Sequence, residues 1–204
     1  MKIDVGDGVR LFVDVDGAEW VPDGARMRRR PVLILLHGGP GMDHSSFKLE
    51  LDSLREIAQL VFIDHRGNGR SDDGPREKWN LDQWGDDVRS VCEVLGIESP
   101  VVMGQSFGGF VAQAYATRHP EHPAALILSS TSPTKNLERN LAVFERLGGE
   151  RARPEKTIEA GGDRYPTPDS VLAGWPKEFN ALADKIYSDF NKEQGTDYKF
   201  QLKK

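Results

Sequence analysis

The chain has 204 residues, of which 38% are hydrophobic and 29% charged, so it can bury one sizeable core as one domain or one domain plus a subdomain. The net charge of −5 argues against nucleic acid as a partner. No apolar run approaches the ~20 residues that a membrane span needs, and the first residues do not open a secretory signal. We therefore predict a cytoplasmic protein without membrane contact. The single cysteine, Cys92, excludes an internal disulfide and is interpreted as a buried, inert thiol.

The N-terminal part predicts a hairpin followed by a basic segment. Residues 2–5 and 9–15 alternate apolar and polar residues around a G-D-G turn, which is typical of an antiparallel hairpin. Residues 26–30 contain four arginines. We interpret this segment as a solvated loop that enters the next strand, with a patch for an anionic ligand as the alternative.

Short apolar runs alternate with helical patterns through the middle of the chain. Four runs are typical of strands buried on both faces: 31–36, 60–63, 101–103 and 124–128. Three helical patterns lie between them: 44–59, 80–95 and 111–118. This alternation predicts an α/β fold with a doubly wound, mostly parallel sheet. Such sheets bind their ligands at the carboxyl ends of the strands.

The composition changes after residue 132. Residues 137–147 and 175–190 have amphipathic helical patterns, and the stretch that joins them is rich in glycine and proline. No strand pattern follows. We therefore predict two parts: an α/β core over 1–132 and a helical lid over 133–204 that covers the strand ends.

The motif around which the chain is organised lies at residues 104–108, with the sequence GQSFG. It is a G-x-S-x-G pattern placed between an apolar strand and a helix, which is the context that makes this short motif informative. Side chains at Gly104 and Gly108 would collide with the neighbouring strand and helix. Ser106 is therefore predicted at the tip of a strained turn, with its hydroxyl at a helix N-terminus where negative charge is favoured. The alternative is an ordinary strand-to-helix turn with a spare serine.

Two further loops follow predicted buried strands. Residues 37–41 read HGGPG, a sequence that lets the backbone approach a ligand closely and direct N–H groups at an oxyanion. Pro40 has no N–H, so the donor is expected from a neighbour such as Gly39. Residues 64–71 read DHRGNGRS and form a polar, glycine-punctuated loop at the end of the next strand.

Together these three loops, in this order, resemble the α/β-hydrolase superfamily, and the first two resemble its prolyl aminopeptidase (proline iminopeptidase) branch. The resemblance implies that Ser106 is the catalytic nucleophile and that the backbone N–H groups of Gly39 and Phe107 form the oxyanion hole. It implies a serine hydrolase that acts by acyl transfer on a small amide or ester. The implied substrates include short peptides from which an N-terminal proline residue is cleaved. No cofactor and no metal are expected.

Other residues of these loops are interpreted as structural. His37 is expected to brace its loop by hydrogen bonding rather than to transfer protons. Asp64, Arg66 and Arg70 are expected to form an ion-pair network near the site. Four lid carboxylates are available to bind a substrate ammonium group, although solvated surface positions are the preferred interpretation: Glu145, Glu150, Glu155 and Glu159.

The sequence departs from the family pattern where the triad should be completed. In this fold the acid and the histidine follow the nucleophile and the lid. The strand at 124–128 is followed by serine and threonine instead of an acid. His119 and His122 lie at the far end of the helix after Ser106, roughly 20 Å away, and are too distant. Three loop histidines are left as alternative bases: His37, His44 and His65.

We therefore expect these 204 residues to be the N-terminal two-thirds of a longer hydrolase, with little or no turnover by themselves. The strand at 124–128 would then have an open apolar edge. A homodimer that covers this edge is the alternative account. A second function also stays open, that of a non-catalytic hydrolase-like protein that binds a small molecule or a partner.

Overall fold

A six-stranded sheet forms the centre of this computed structural model, which describes residues 1–133. The chain contains eight strands in this range: β1 (Lys2–Asp4), β2 (Arg10–Asp16), β3 (Trp20–Asp23), β4 (Arg26–Arg29), β5 (Val32–Leu36), β6 (Gln59–Ile63), β7 (Val101–Gln105) and β8 (Ala125–Ser129). The large sheet has the order β1-β2-β6-β5-β7-β8. The last four of these strands are parallel, whereas β1 and β2 form the predicted antiparallel hairpin. The mostly parallel sheet is therefore confirmed.

Three helices connect the strands: α1 (Ser45–Leu51), α2 (Leu81–Leu95) and α3 (Phe107–Arg118). The side chain of Asn80 caps α2, accepting a 2.9 Å hydrogen bond from the N–H of Gln83. The helix predicted over 44–59 is shorter than expected. It ends at Leu51 and continues as a 3₁₀ turn over Asp52–Glu56, where aspartate and serine compete with helical hydrogen bonds.

The sheet is covered on both faces, as expected of a doubly wound fold. Along β5, Ile34 and Leu36 belong to a core that includes residues of α2 and α3. Leu33 and Leu35 belong to a second core, with Phe47 of α1. Successive side chains of a strand point to opposite faces, so burial on both sides explains why the strand is continuously apolar.

Cys92 lies in the core that contains α2 and α3 and is fully buried. Burial raises the pKa of its thiol to about 12. Near neutral pH this favours the thiol form over the thiolate, which is the reactive form. The interpretation of Cys92 as a buried core thiol is therefore confirmed.

The arginine-rich segment is a strand and not the loop expected from its composition. β4 pairs with β3 in a separate two-stranded antiparallel sheet, and all four of its residues are exposed. Gly24 connects the two strands with a positive φ of 61°. Arg29 pairs with Glu19 at 2.6 Å on this surface. A ribbon exposed to water lacks an apolar pattern, which is why the sequence did not predict it.

β8 lies at the edge of the large sheet, and its side chains are poorly covered. Ile127 and Leu128 are 45% and 46% exposed. Within the described residues, the predicted open apolar edge is confirmed.

The predicted lid, including the helices at 137–147 and 175–190 and the four lid glutamates, lies outside the described residues. The division of the chain at residue 132 stays a prediction. Met1–Pro133 form one compact unit. No helix in this unit is long and apolar enough to cross a membrane.

Candidate active site

Ser106 stands at the turn between β7 and α3 with a strained backbone. Its φ of 51° and ψ of −113° lie in a region that residues with a side chain rarely adopt. Such a conformation costs on the order of 1–3 kcal/mol and persists only where neighbouring structure enforces it. The N–H of Ser106 donates a 2.9 Å hydrogen bond to the carbonyl of Ser129 at the end of β8, and Ser106 is exposed. The predicted elbow is therefore present.

The two glycines of the motif allow α3 to start against the sheet. A Cβ on Gly104 would overlap the backbone of Gly108 and Gly109 in the first turn of α3. A Cβ on Gly108 would overlap the carbonyl groups of Leu36 and His37. Both positions therefore exclude any side chain for steric reasons, as the sequence predicted.

The loop at 37–41 lies beside the serine. A Cβ built on Gly38 would be 3.5 Å from the Cβ of Ser106. Gly39 follows with a φ of 132°, which favours glycine. Phe107 is the first residue of α3, so its N–H has no acceptor within the helix. The structure thus brings the HGGPG loop and the elbow together at the carboxyl ends of β5 and β7.

His37 is fully buried and braces its own loop. The backbone N–H of His65 donates to Nε2 of His37 at 3.2 Å, so this nitrogen is the acceptor and Nδ1 carries the proton. Nδ1 donates in turn to the carbonyl of Gly38 at 2.6 Å. Burial lowers the pKa of His37, which keeps the ring neutral. The predicted bracing role agrees with these contacts.

The other two loop histidines are also buried and hydrogen bonded within the framework. His65 donates from Nε2 to the carbonyl of His37 at 3.2 Å, and burial lowers its pKa well below the usual range. Nδ1 of His44 contacts the carboxylate of Asp64 at 2.7 Å. The alternative in which a loop histidine acts as the base for Ser106 finds no support in these contacts.

The predicted ion-pair network has different partners from those expected. Asp64 is paired with His44 and accepts the backbone N–H of Arg70 at 2.9 Å. Burial opposes its ionisation, but the hydrogen bond and charge of His44 lower its pKa to about 2. Arg66 does not pair with Asp64. It binds Asp87 of α2, a residue that the sequence analysis missed because it lies 21 positions away.

Asn68 is a second residue that the sequence analysis missed. Its side-chain carbonyl accepts a hydrogen bond from the N–H of Gly41, and its amide donates to the carbonyl of Arg66 at 2.9 Å. One side chain therefore joins the loop at 64–71 to the loop at 37–41. The only signal in the sequence was an asparagine between two glycines in a polar loop.

The segment after β8 lies beside the elbow but carries no carboxylate. Ser130 has a φ of 49°, and the side chain of Thr131 packs against Gly109 in the first turn of α3. Gln113 of α3 donates to the carbonyl of Ser132 at 3.1 Å. Within residues 1–133, no group of three or more His, Cys, Asp or Glu side chains is arranged to hold a metal ion.

Known proteins similar to this chain are α/β hydrolases, in agreement with the turn from strand to helix at Ser106. The sequence model of the family described as alpha/beta hydrolase fold matches residues 31–161. The chain belongs to the α/β-hydrolase family. Its sequence is also similar to those of proline iminopeptidases, as the following relatives show.

The proline iminopeptidase PfmaB of Pestalotiopsis fici is 33% identical over 130 residues, which are 62% of this chain and 46% of the relative. The proline iminopeptidase of Lactobacillus acidophilus is 38% identical over 120 residues, 56% of this chain and 40% of the relative. The crystal structure of proline iminopeptidase from Mycobacterium smegmatis aligns with a TM-score of 0.60 and 28% identity. It covers 85% of this chain and 57% of that one. The chain thus spans less than half the length of these two curated relatives.

Proposed function

We propose that this α/β-hydrolase is a serine hydrolase that acts by acyl transfer on a small amide or ester. The favoured substrate is a short peptide with an N-terminal proline residue. The observation that carries this proposal is the strained, exposed conformation of Ser106 at the start of α3. The proposed substrate class is supported by two relatives named proline iminopeptidases, 33% and 38% identical to this chain.

In the proposed reaction, Oγ of Ser106 attacks the substrate carbonyl carbon and forms a tetrahedral oxyanion. The amine or alcohol leaves as the carbonyl reforms, and water then hydrolyses the acyl-enzyme. The N–H groups of Phe107 and Gly39 are the proposed donors to the oxyanion. One such donor typically stabilises the transition state by about 3–4 kcal/mol.

The proton transfers need a base for Ser106 and an acid for the leaving group. All five histidines of the chain lie within residues 1–133. The three on loops have the hydrogen-bond partners described above, and His119 and His122 lie beyond the far end of α3. For these 204 residues, the histidine contacts support a second candidate function, in which they keep a hydrolase-like pocket and bind a small molecule without turning it over.

A fluorophosphonate probe separates the two candidates, because it reacts with an activated serine. We expect the full chain to be labelled at Ser106, with slow release of nitrophenol from 4-nitrophenyl acetate and of nitroaniline from proline 4-nitroanilide. Ser106→Ala should abolish labelling. Ser53→Ala, at an exposed serine of the 3₁₀ turn, should leave it unchanged. A folded chain that the probe does not label would exclude the hydrolase for this chain and favour the binding protein.

A further inference from the structure

The loop at 64–71 contacts both ends of the loop at 37–41. At the start, His65 and His37 exchange two hydrogen bonds of 3.2 Å, between the N–H of His65 and Nε2 of His37 and between Nε2 of His65 and the carbonyl of His37. At the other end, Asn68 accepts a hydrogen bond from the N–H of Gly41. The residue proposed as an oxyanion donor, Gly39, lies between these two attachments.

The side chain of His65 also reaches the second proposed donor. Its ring packs against the ring of Phe107 with centroids 5.6 Å apart and an interplanar angle of 89°. Phe107 also contacts the ring of Trp84 of α2, with centroids 5.0 Å apart and an interplanar angle of 88°. Trp84 donates from its indole nitrogen to the carbonyl of Arg66 at 3.1 Å. The ring of Phe107 therefore contacts both the 64–71 loop and a helix that is hydrogen bonded to that loop.

The 64–71 loop is itself anchored to the sheet and to α2. The hydroxyl of Ser71 donates to the carbonyl of Asp64 at 2.6 Å, which closes the loop on itself. Arg66 is fully buried and forms a bidentate pair with Asp87 of α2. A loop with these internal and external bonds loses little entropy when it holds another segment, because it is already ordered.

We propose that residues 64–71 form a positioning loop that holds the proposed oxyanion donors in register, with His65 and Asn68 as the positioning residues. This inference rests on the proposed function. His65 links the backbone of the 37–41 loop to the ring of Phe107, so one side chain sets the separation between the two donors. Asn68 holds the far end of the 37–41 loop. Neither residue contacts the reacting atoms.

His65 acts in this arrangement as a neutral hydrogen-bond donor. Its burial lowers its pKa, and its Nε2–H points to a carbonyl oxygen. The groups that face it are His37, the backbone of the 37–41 loop and Phe107, with the carboxylate of Asp64 nearby. A glutamine side-chain amide can supply the same donor, whereas a leucine cannot.

The test compares His65→Gln with His65→Leu in the full chain by native-state amide hydrogen exchange. The amide of Gly41 reports attachment of its loop, because Asn68 is its acceptor. In His65→Leu we expect exchange at Gly41 to rise by about tenfold or more while amides of β5 and β6 keep their protection. His65→Gln should stay within about threefold of the wild type. His122→Leu is the matched control, since His122 also makes two hydrogen bonds but lies beyond α3.

A second pair of variants keeps the proposal testable if His65→Leu does not fold. Asn68→Ala removes the acceptor for Gly41, and Asn68→Asp retains an acceptor oxygen. We expect faster exchange at Gly41 in the first variant only. Unchanged exchange at Gly41 in folded His65→Leu and in Asn68→Ala would overturn the proposal.

The rate of fluorophosphonate labelling at Ser106 supplies the functional readout. We expect labelling to slow by about tenfold in His65→Leu and to recover in His65→Gln, as for a donor displaced from the oxyanion. Normal labelling despite faster exchange at Gly41 would also overturn the proposal. A wild-type chain that is not labelled would instead contradict the proposed function, and the exchange experiment would still decide whether this loop holds residues 37–41.

Discussion

Arg66 and Asp87 form a fully buried bidentate ion pair, with Nε–Oδ2 and Nη2–Oδ1 distances of 2.9 Å and 2.6 Å. The pair joins the loop after β6 to the middle of α2. Gln83 adds a 3.0 Å hydrogen bond from its side-chain amide to the same carboxylate. The charge of Arg66 is therefore compensated inside the protein. The position of the 64–71 loop depends on α2, which follows it in sequence.

Removal of one partner should be strongly destabilising. Asp87→Ala leaves the guanidinium of Arg66 buried without its counter-ion, and we expect the free energy of unfolding to fall by about 3–5 kcal/mol. Asp86→Ala is the matched control, because Asp86 pairs with Arg118 on the surface. This substitution should lower the free energy of unfolding by about 1 kcal/mol or less. Urea denaturation measures both. Equal losses in the two variants would contradict the structural role of the buried pair.

The strained turn at Ser106 predicts a conflict between stability and activity. Glycine adopts the observed φ of 51° without steric penalty. Ser106→Gly should therefore release the backbone strain. Part of this gain is offset because glycine has a larger conformational entropy in the unfolded chain, and we expect a net increase of about 1 kcal/mol in the free energy of unfolding. Ser106→Ala keeps the strain and should leave stability nearly unchanged. We expect both variants to lose labelling, and a Ser106→Gly variant no more stable than Ser106→Ala would argue against strain at the elbow.

Three histidines with lowered pKa values predict that the free energy of unfolding falls as the pH drops below about 6.5, the usual pKa of an unfolded histidine. Burial lowers the pKa of His37, His65 and His122 in the folded state. The unfolded chain therefore binds protons first, and the stabilisation present above that pH is lost progressively below it.

We expect the midpoint of urea denaturation to be lower at pH 5 than at pH 7.5. The difference between these two midpoints should be smaller in His65→Gln than in the wild type. Asp64, whose pKa in the folded protein is about 2, lowers the free energy of unfolding further only below about pH 4. In that range its carboxylate is protonated in the unfolded chain before it is protonated in the folded protein. A midpoint that does not change between pH 7.5 and 5 would contradict the lowered pKa values of these three rings.

The exposed edge at β8 predicts self-association of the chain, which would be the homodimer that the sequence analysis left as the alternative. Sedimentation velocity should show a sedimentation coefficient that rises with protein concentration. Leu128→Lys places a charge on this edge and should reduce the association. Val94→Lys, at a 61% exposed position of α2, is the matched control and should have no effect. A wild-type chain that remains monomeric at its highest soluble concentration would exclude this account.

Much of the core and of the elbow was predictable because both depend on short-range chemistry. The continuously apolar strand at 32–36 follows from burial on both faces of the sheet. The glycines at 104 and 108 follow from the lack of space around a sharp strand-to-helix turn. The arginine-rich strand over 26–29 was missed because an exposed ribbon has no apolar pattern to reveal it.

The sequence by itself determined the alternation of strands and helices, the motif that raises Ser106 above the sheet and the family to which the chain belongs. These features depend on residues that are neighbours along the chain. Only the tertiary structure decided that Arg66 pairs with Asp87, that Asn68 binds Gly41 and that His65 contacts both His37 and Phe107. These partners are separated by 21 to 42 residues. The three loops meet because parallel strands bring their carboxyl ends to one edge of the sheet, and Arg66 reaches Asp87 because α2 packs against that sheet.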